Sequence, residues 1–104
     1  MGRTVVCGRF EWDEDKARAN LKKHKISFEE VLPMFDDPLF AERYDAKNST
    51  IDESRFRGVG KIRGFTVIVT CYTFRSERTR IINARIATSK EEKDYERWCR
   101  YFHG

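Results

Sequence analysis

Hydrophobic residues change their spacing twice along the chain. In residues 27–35 they recur every three or four positions, which is typical of a helix with one core face; the residues are Phe28, Val31, Leu32 and Phe35. Between residues 39 and 87 apolar and polar residues mostly alternate, which indicates consecutive strands. Helical spacing returns after Thr88 and Ser89, either of which can cap a last helix; its apolar residues are Tyr95, Trp98, Cys99 and Phe102. The pattern predicts an α+β fold with two N-terminal helices, an antiparallel β-sheet meander and a C-terminal helix.

The segment before the sheet is expected to form the two N-terminal helices. Asp13 can cap the first helix, which we expect to continue to about His24. Ser27 and Glu30 have the spacing of a capping box at the start of the second helix. Pro33 lies inside this second helix and should kink or shorten it, because proline has no backbone N–H.

Short connections between the expected strands favour an antiparallel meander. Residues 5–12 are interpreted as a strand that leads into the first helix, and residues 40–46 as the next strand. Two further strands flank a turn at 61–64, and a last strand covers residues 80–87.

Alternation within the central strands predicts which side of the sheet is open. In residues 65–74 one face is purely apolar and is expected to pack on the helices; it consists of Phe65, Val67, Val69 and Cys71. The other face, with Thr70 and Tyr72, is expected to share the open side with Asn83 and Arg85. Such a face suits a phosphate or nucleobase site, through a bidentate arginine fork and a stacking ring. A second interpretation has equal weight: Tyr72 only covers the sheet, and Arg85 pairs with a nearby carboxylate.

Length and composition fit a single domain over residues 1–104. The chain has 104 residues, of which 39% are hydrophobic and 37% are charged, enough for one small core beneath a highly charged surface. No run approaches the ~18 apolar residues of a membrane span, and no signal-peptide pattern is present, so we expect a cytoplasmic protein. The three cysteines and two histidines lack metal-ligand spacing, so we expect reduced thiols, no metal site and no cofactor.

Charge is distributed unevenly between the two halves of the chain. Residues 1–54 contain 9 lysines and arginines and 12 acidic residues, whereas residues 55–104 contain 12 and 5, and the net charge is +4. A basic surface built by the second half would suit a polyanion. The charge excess is also compatible with a solvated surface that has no partner. Arg55, Arg57 and Lys61 share one strand parity and can extend the basic open face.

Several motifs follow one another along the chain. They are, in order, FEWDEDKARANLKKHKISFEEV, FDDPL, ESRFRGVGKI and RIINARIAT with EEKDYE. Together these motifs resemble the BrnT toxin family. The resemblance covers roughly residues 10 to 96 and implies a RelE-like fold. It also implies the toxin of a type II toxin–antitoxin pair, an endoribonuclease that cleaves RNA and halts translation.

The resemblance also implies partners. These are an RNA substrate and a BrnA-like antitoxin protein with a DNA-binding domain, the complex repressing its own promoter; a homodimer within that complex is a further option. The chain departs from the family at Lys25, where a glycine usually follows the histidine. A glycine there would serve as the left-handed residue that ends the first helix, and a non-glycine costs on the order of 1 kcal/mol.

Cleavage of RNA needs no metal, because the 2′-hydroxyl of RNA can attack the adjacent phosphate when an acid, a base and a group that stabilises negative charge are supplied. The catalytic candidates are Arg85, His24, Arg80, Glu53 and Tyr72. The RNA-binding candidates are Lys23, Arg57, Asn83, Arg55 and Lys61.

Roles follow from side-chain chemistry. Arg85 is expected to stabilise the phosphate with support from Arg80 and Arg57, and Glu53 is a candidate base. Tyr72 is a candidate stacking or proton-donating group. His24 suits acid or base work near neutral pH, but it is equally interpreted as a helix C-terminal residue that hydrogen-bonds a last carbonyl. For the chain as a whole, the alternatives are a non-catalytic nucleic-acid-binding module and a partner-binding regulatory protein.

Overall fold

A mixed sheet of six strands forms the centre of the structure, a computed structural model that describes residues 2–103. The strands are β1 (Thr4–Cys7), β2 (Phe10–Asp13), β3 (Ala41–Tyr44), β4 (Arg55–Ile62), β5 (Thr66–Arg75) and β6 (Arg78–Ile86), in the spatial order β1-β2-β6-β5-β4-β3. Strands β3 to β6 are joined by antiparallel pairing. Strand β2, however, pairs with β6 in parallel, so the expectation of a purely antiparallel sheet is wrong.

The parallel pair arises because residues 4–13 form a hairpin and not one strand. Gly8, at φ 58°, allows the tight reversal between β1 and β2. Strand β2 is then held between β1 and β6, and Thr79 donates its N–H to the carbonyl of Arg9 at 2.9 Å.

The first helix follows the expected pattern at both ends. Helix α1 spans Glu14–His24, and the Asp13 side chain accepts the N–H of Lys16 at 3.0 Å. Lys25 ends the helix in the left-handed conformation, at φ 60° and ψ 28°, and donates its N–H to the carbonyl of Leu21 at 2.9 Å. The lysine therefore adopts the conformation that favours glycine.

The second helix is much shorter than a full helix. Helix α2 spans Phe28–Val31, and a 3₁₀ helix continues over Leu32–Asp36. The capping box is present, with reciprocal hydrogen bonds of 2.9 and 3.1 Å between Ser27 and Glu30. The α-helix ends before Pro33, as expected from the missing N–H of proline.

The C-terminal helix α3 spans Ser89–His103. Thr88 caps it through a second capping box, in which Thr88 and Glu91 exchange hydrogen bonds of 2.9 and 3.2 Å. Its contact with the rest of the fold depends on Tyr95, which is buried, and on Trp98, whose indole N–H donates to the carbonyl of Leu39 at 3.0 Å. Neither α3 nor another helix of residues 2–103 is long and apolar enough to cross a membrane.

One face of the sheet, here named the core face, packs against α1, α2 and the 3₁₀ helix. Its buried cluster includes Phe10, Trp12, Ile26, Phe28, Val31, Met34, Ile62, Ile68, Tyr72, Ile81 and Ala84. Asn20 of α1 is buried, and its side-chain amide pairs with β6 as a neighbouring strand would. Its Oδ1 accepts the N–H of Ala84 at 3.0 Å, and its Nδ2 donates to the carbonyl of Ala84 at 2.9 Å. This pairing fixes α1 beside β6 beyond the end of β2.

The faces of β5 are the reverse of those expected. Thr70 and Tyr72 point into the core, whereas Val69 and Cys71 lie on the other side, opposite Arg85 and Asn83. The polar atoms of the core residues are satisfied there, because the Thr70 hydroxyl donates to the Asn83 carbonyl at 2.8 Å and the Tyr72 hydroxyl donates to a carboxylate. A mixed face can therefore be buried, and its polarity does not mark it as open.

Candidate active site

Several arginines lie on the sheet face opposite the core. We name it the arginine face, defined by Arg43, Arg55, Arg57, Arg80 and Arg85. Residues directly opposite each other in antiparallel strands share a face. Arg43, Arg57, Cys71 and Asn83 therefore form one row across four strands, and Arg85 lies in the next row, opposite Val69. The sheet thus gathers candidates that are far apart in sequence.

A bulge in β6 places Arg80 and Arg85 on the same face. The consecutive residues Cys71 and Tyr72 of β5 pair with Asn83 and Ile81. Ile82, which lies between Asn83 and Ile81, therefore has no partner in β5. Regular alternation would put residues five apart on opposite faces, and the extra residue reverses this. Arg80 therefore does not have the parity of the core face that simple alternation assigns to it.

Arg85 is held by Glu91 at the start of α3. Its guanidinium makes two hydrogen bonds to the carboxylate, at 2.6 and 2.9 Å. These bonds from Arg85 are the main reason that the pKa of Glu91 falls to about 2, and the same pair raises the pKa of Arg85. The contact matches the second interpretation of the sequence, in which Arg85 pairs with a nearby carboxylate. It also shows that this arginine is positioned to grip a planar group with two oxygens.

Arg80 is held in the same way by Glu11 of β2. The guanidinium lies 2.5 Å from one carboxylate oxygen, and Arg78 lies 3.9 Å from the other. Glu11 is buried, with only 7% of its surface exposed. Sequence reasoning missed this residue, although a carboxylate between Phe10 and Trp12 in β2 is the signal that could have identified it.

Tyr72 does not reach the arginine face. It is 1% exposed and packs among Phe35, Phe40 and Phe56. Its hydroxyl donates to Glu42, and burial followed by this bond raises the pKa of the phenol well above its usual range. The expected position of Tyr72 on the open side is therefore wrong, because its ring is part of the core.

The remaining candidates on the sheet differ in their partners. Arg55 donates to Glu53 at 2.7 Å. Arg55 lies in the same row as Arg80, at one end of the arginine face, with Thr73 of β5 between them. The ammonium of Lys61 lies 5.7 Å from the centre of the Tyr95 ring, beneath α3. Asn83 is exposed in the central row.

His24 and Lys23 end α1, outside the sheet. His24 is half-buried and Lys23 is exposed. His24 lies one helical turn, about 6 Å along the axis, beyond Asn20, which is bonded to the neighbour of Arg85. Within residues 2–103, however, neither His24 nor Lys23 hydrogen-bonds any residue of the arginine face.

A groove of about 580 Å³ lies between β3, β4 and α3. Arg43, Arg57, Glu91 and Trp98 are among its lining residues. The groove joins the Arg85–Glu91 pair to the β3 edge of the arginine face. Sequence reasoning missed Arg43 because its strand is only four residues long and gives little alternation to interpret.

Over the described residues, no group of three or more histidine, cysteine or acidic side chains is arranged to hold a metal ion. The three cysteines are free thiols, of which Cys71 is buried, Cys99 is half-buried and Cys7 is exposed.

Comparison with known proteins gives the family. A family model described as "Ribonuclease toxin, BrnT, of type II toxin-antitoxin system" matches residues 12–91. A crystal structure of the Brucella abortus ribonuclease toxin BrnT is similar with a TM-score of 0.55 and 25% identity, over 75% of this chain and 94% of that one. No curated protein matches the sequence. Since the matched residues are most of the chain and include both the α1 segment and the strands of the arginine face, the chain belongs to the BrnT family of ribonuclease toxins from type II toxin–antitoxin systems.

Proposed function

We propose that this chain is a metal-independent endoribonuclease that cleaves RNA by attack of the 2′-hydroxyl on the adjacent phosphate and so inhibits translation. The observation that carries the proposal is the arrangement of Arg57 on β4 and of Asn83 and Arg85 on β6, on either side of β5 and on one face of the sheet. The membership of a ribonuclease toxin family supports the same reaction class.

In the proposed reaction the protein supplies positive charge and the groups that accept and donate protons. The 2′-oxygen forms a bond to phosphorus while the bond to the 5′-oxygen breaks, which leaves a 2′,3′-cyclic phosphate and a free 5′-hydroxyl. One proton leaves the 2′-hydroxyl and one is given to the departing 5′-oxygen. Extra negative charge develops on the phosphate between these events, and fixed cations stabilise it.

Arg85 is proposed as the main phosphate ligand. A guanidinium fork fits a phosphate as well as a carboxylate, so an RNA phosphate can take the place of Glu91. Arg57, exposed in the adjacent row, can reach the same strand of RNA. Arg80 supports the site from the far end of the face, where Glu11 fixes it.

His24 and Glu53 remain the proposed proton-transfer groups. His24 belongs to the helix that Asn20 fixes beside Ala84, next to Arg85. Glu53 lies beside Arg55 at the other end of the face. Lys23, Lys61 and Asn83 are proposed to contact the RNA. Tyr72 is left out of the site, because its ring and hydroxyl are enclosed in the core.

A type II system implies a protein antitoxin as partner. We propose that it is BrnA-like, with a DNA-binding domain, and that the complex represses its own promoter and can contain a toxin homodimer. A RelE-like arrangement and a cytoplasmic location are part of the same proposal. All of them follow from the family and not from a contact in this chain.

The test is incubation of purified protein with RNA in the presence of a chelator. We expect cleavage to persist, with 2′,3′-cyclic phosphate ends, and to be lost in Arg85→Ala. Arg63→Ala is the matched control, because Arg63 is bound by Glu30 at 2.8 Å in an equivalent pair outside the arginine face. Intact RNA with salt-dependent binding would instead identify a non-catalytic nucleic-acid-binding module.

A further inference from the structure

Arg43 and Arg57 lie directly opposite each other on β3 and β4. Like charges in this position destabilise a strand pair, so such an arrangement calls for an explanation. Both residues are exposed, and within residues 2–103 neither makes an ion pair within 4.0 Å. The other arginines of the face, Arg55, Arg80 and Arg85, all have carboxylate partners.

Two carboxylates of the neighbouring groove are bound by other cations, whereas the other two have neutral hydrogen-bond donors and keep their negative charge. Glu91 is bound by Arg85, and Asp94 lies 3.7 Å from both Lys90 and Arg97. On the opposite wall, Asp45 accepts from Asn48 at 2.8 Å and Glu42 accepts from Tyr72. Arg43 and Arg57 therefore have no carboxylate within 4.0 Å among the described residues. The hydrogen bond from Asn48, and to a smaller extent the charge of Arg57, hold the pKa of Asp45 below its usual value.

An aromatic ring stands across the groove from the arginine pair. Trp98 lines the groove and is 40% exposed. Its indole N–H is fixed to the carbonyl of Leu39, so the ring is held in place while part of its surface stays accessible. Fixed aromatic rings beside basic residues are what proteins use to bind single-stranded nucleic acid, with the base stacked and the phosphate held by cations.

We infer that this groove is a nucleotide-binding subsite, in which Arg43 and Arg57 hold a phosphate of single-stranded RNA and Trp98 stacks on the adjoining base. The inference rests on the proposed ribonuclease function and specifies where the RNA lies next to the cleaved bond. A volume of about 580 Å³ is in the range of small-ligand sites. The groove also includes Glu91, so it continues to Arg85, and the Cα atoms of Arg57 and Arg85 are about 12 Å apart from strand spacings.

The test measures the binding of a fluorescent 2′-O-methyl RNA oligomer, which cannot be cleaved by its own 2′-oxygen. We expect the R43A/R57A double variant to bind at least tenfold more weakly. The plot of the log of the binding constant against the log of the salt concentration has a negative slope, and its magnitude should fall by about 0.7, the value for one phosphate contact with a single strand. We expect Trp98→Leu to weaken binding about tenfold without altering that slope.

The matched control is the K16A/R18A double variant, which removes the same charge from exposed positions of α1 that do not line the groove. It should bind RNA within about threefold of the unaltered protein. The thermal midpoint gives a second readout, because removing opposed like charges should leave R43A/R57A at least as stable as the unaltered protein. A purely structural role of the two arginines would lower that midpoint.

Equal RNA binding by R43A/R57A and the control would overturn the subsite. If the unaltered protein still cleaved RNA, the proposed function would stand and the groove would serve another class of molecule. If the unaltered protein neither bound nor cleaved RNA, the proposed function itself would be wrong. The two failures are therefore distinguishable in one set of measurements.

Discussion

Replacing Glu91 with glutamine tests the contact that holds Arg85. Glutamine keeps the shape of the side chain and can still serve in a capping box with Thr88, so the change removes mainly the negative charge. Two opposite consequences are expected. The protein should become less stable, and Arg85 should become more available to a phosphate.

The size of the stability loss follows from the pKa of Glu91. It falls from 4.5 to about 2, chiefly through the hydrogen bonds from Arg85. At 1.36 kcal/mol per pKa unit the difference would correspond to about 3 kcal/mol. The carboxylate is 26% exposed, and solvent screening reduces the effect to about 1–2 kcal/mol.

The loss should depend on pH in a defined direction. A carboxyl whose pKa is lowered by folding stabilises the folded state above its unfolded pKa, and this stabilisation disappears as the pH falls through the folded value. The difference in unfolding free energy between the two proteins should be constant from pH 7 to about 5. It should then shrink as the pH falls from about 4.5 to about 2.

Urea unfolding at several pH values measures the first consequence, and RNA anisotropy measures the second. The E91Q protein should bind 2′-O-methyl RNA about five- to tenfold more tightly, equivalent to about 1 to 1.4 kcal/mol. In a double-mutant cycle with Arg85→Gln, the coupling energy should be about 1–2 kcal/mol. Equal stability of the two proteins at pH 7 would show that the Arg85–Glu91 contact does not stabilise the fold. Unaltered RNA affinity in a folded variant would show that Glu91 does not compete with phosphate for Arg85.

Three further substitutions test the fold that carries the site. Lys25→Gly should raise the free energy of unfolding by about 1 kcal/mol in urea denaturation, because it relieves the left-handed strain at φ 60°; an unaltered midpoint would contradict this. Asn20→Asp should destabilise by about 2–4 kcal/mol, because a carboxylate would face the carbonyl of Ala84, and the loss should diminish on acidification. Gly58→Ala should cost about 1–3 kcal/mol, because its Cβ would lie 2.3 Å from the Phe40 ring; Phe40→Leu should recover part of the loss, and full stability of the single variant would refute the close contact.

Features that depend on nearby residues could be predicted from the sequence. The caps at Asp13, Ser27 and Thr88 each join residues three positions apart, so their hydrogen bonds leave a local pattern. The early end of α2 followed from Pro33, because proline removes a backbone donor. The alternating pattern also located β3 to β6 to within a few residues.

The faces of the sheet could not be predicted in the same way. Seven consecutive residues of β5, Val67 to Thr73, are buried, since α3 and the β3–β4 loop cover one face and the N-terminal helices cover the other. A strand buried on both faces has no polar side to identify. The bulge at Ile82 then reversed the parity of β6 without leaving a signal in composition.

The site was predictable in part for the same reason. Arg57, Asn83 and Arg85 share one face, as predicted, because Asn83 and Arg85 both follow the bulge and Arg57 lies on a regularly paired strand. Tyr72 was misplaced through the parity of β5. Glu11 was missed because its partner Arg80 is 69 positions away in the chain, and only the parallel pairing of β2 with β6 brings them together.

Ile82, the unpaired residue of β6, also determines whether this strand can lose a residue. Removing Ile82 would restore uniform alternation, and either Arg80 or Arg85 would then have to turn towards Ile68, Tyr72 and the aromatic side chains behind them. A guanidinium buried there without a partner would cost more than a domain of this size can tolerate. A single-residue deletion in β6 would therefore cost the chain either the fold or one of the two arginines that Glu11 and Glu91 hold in place.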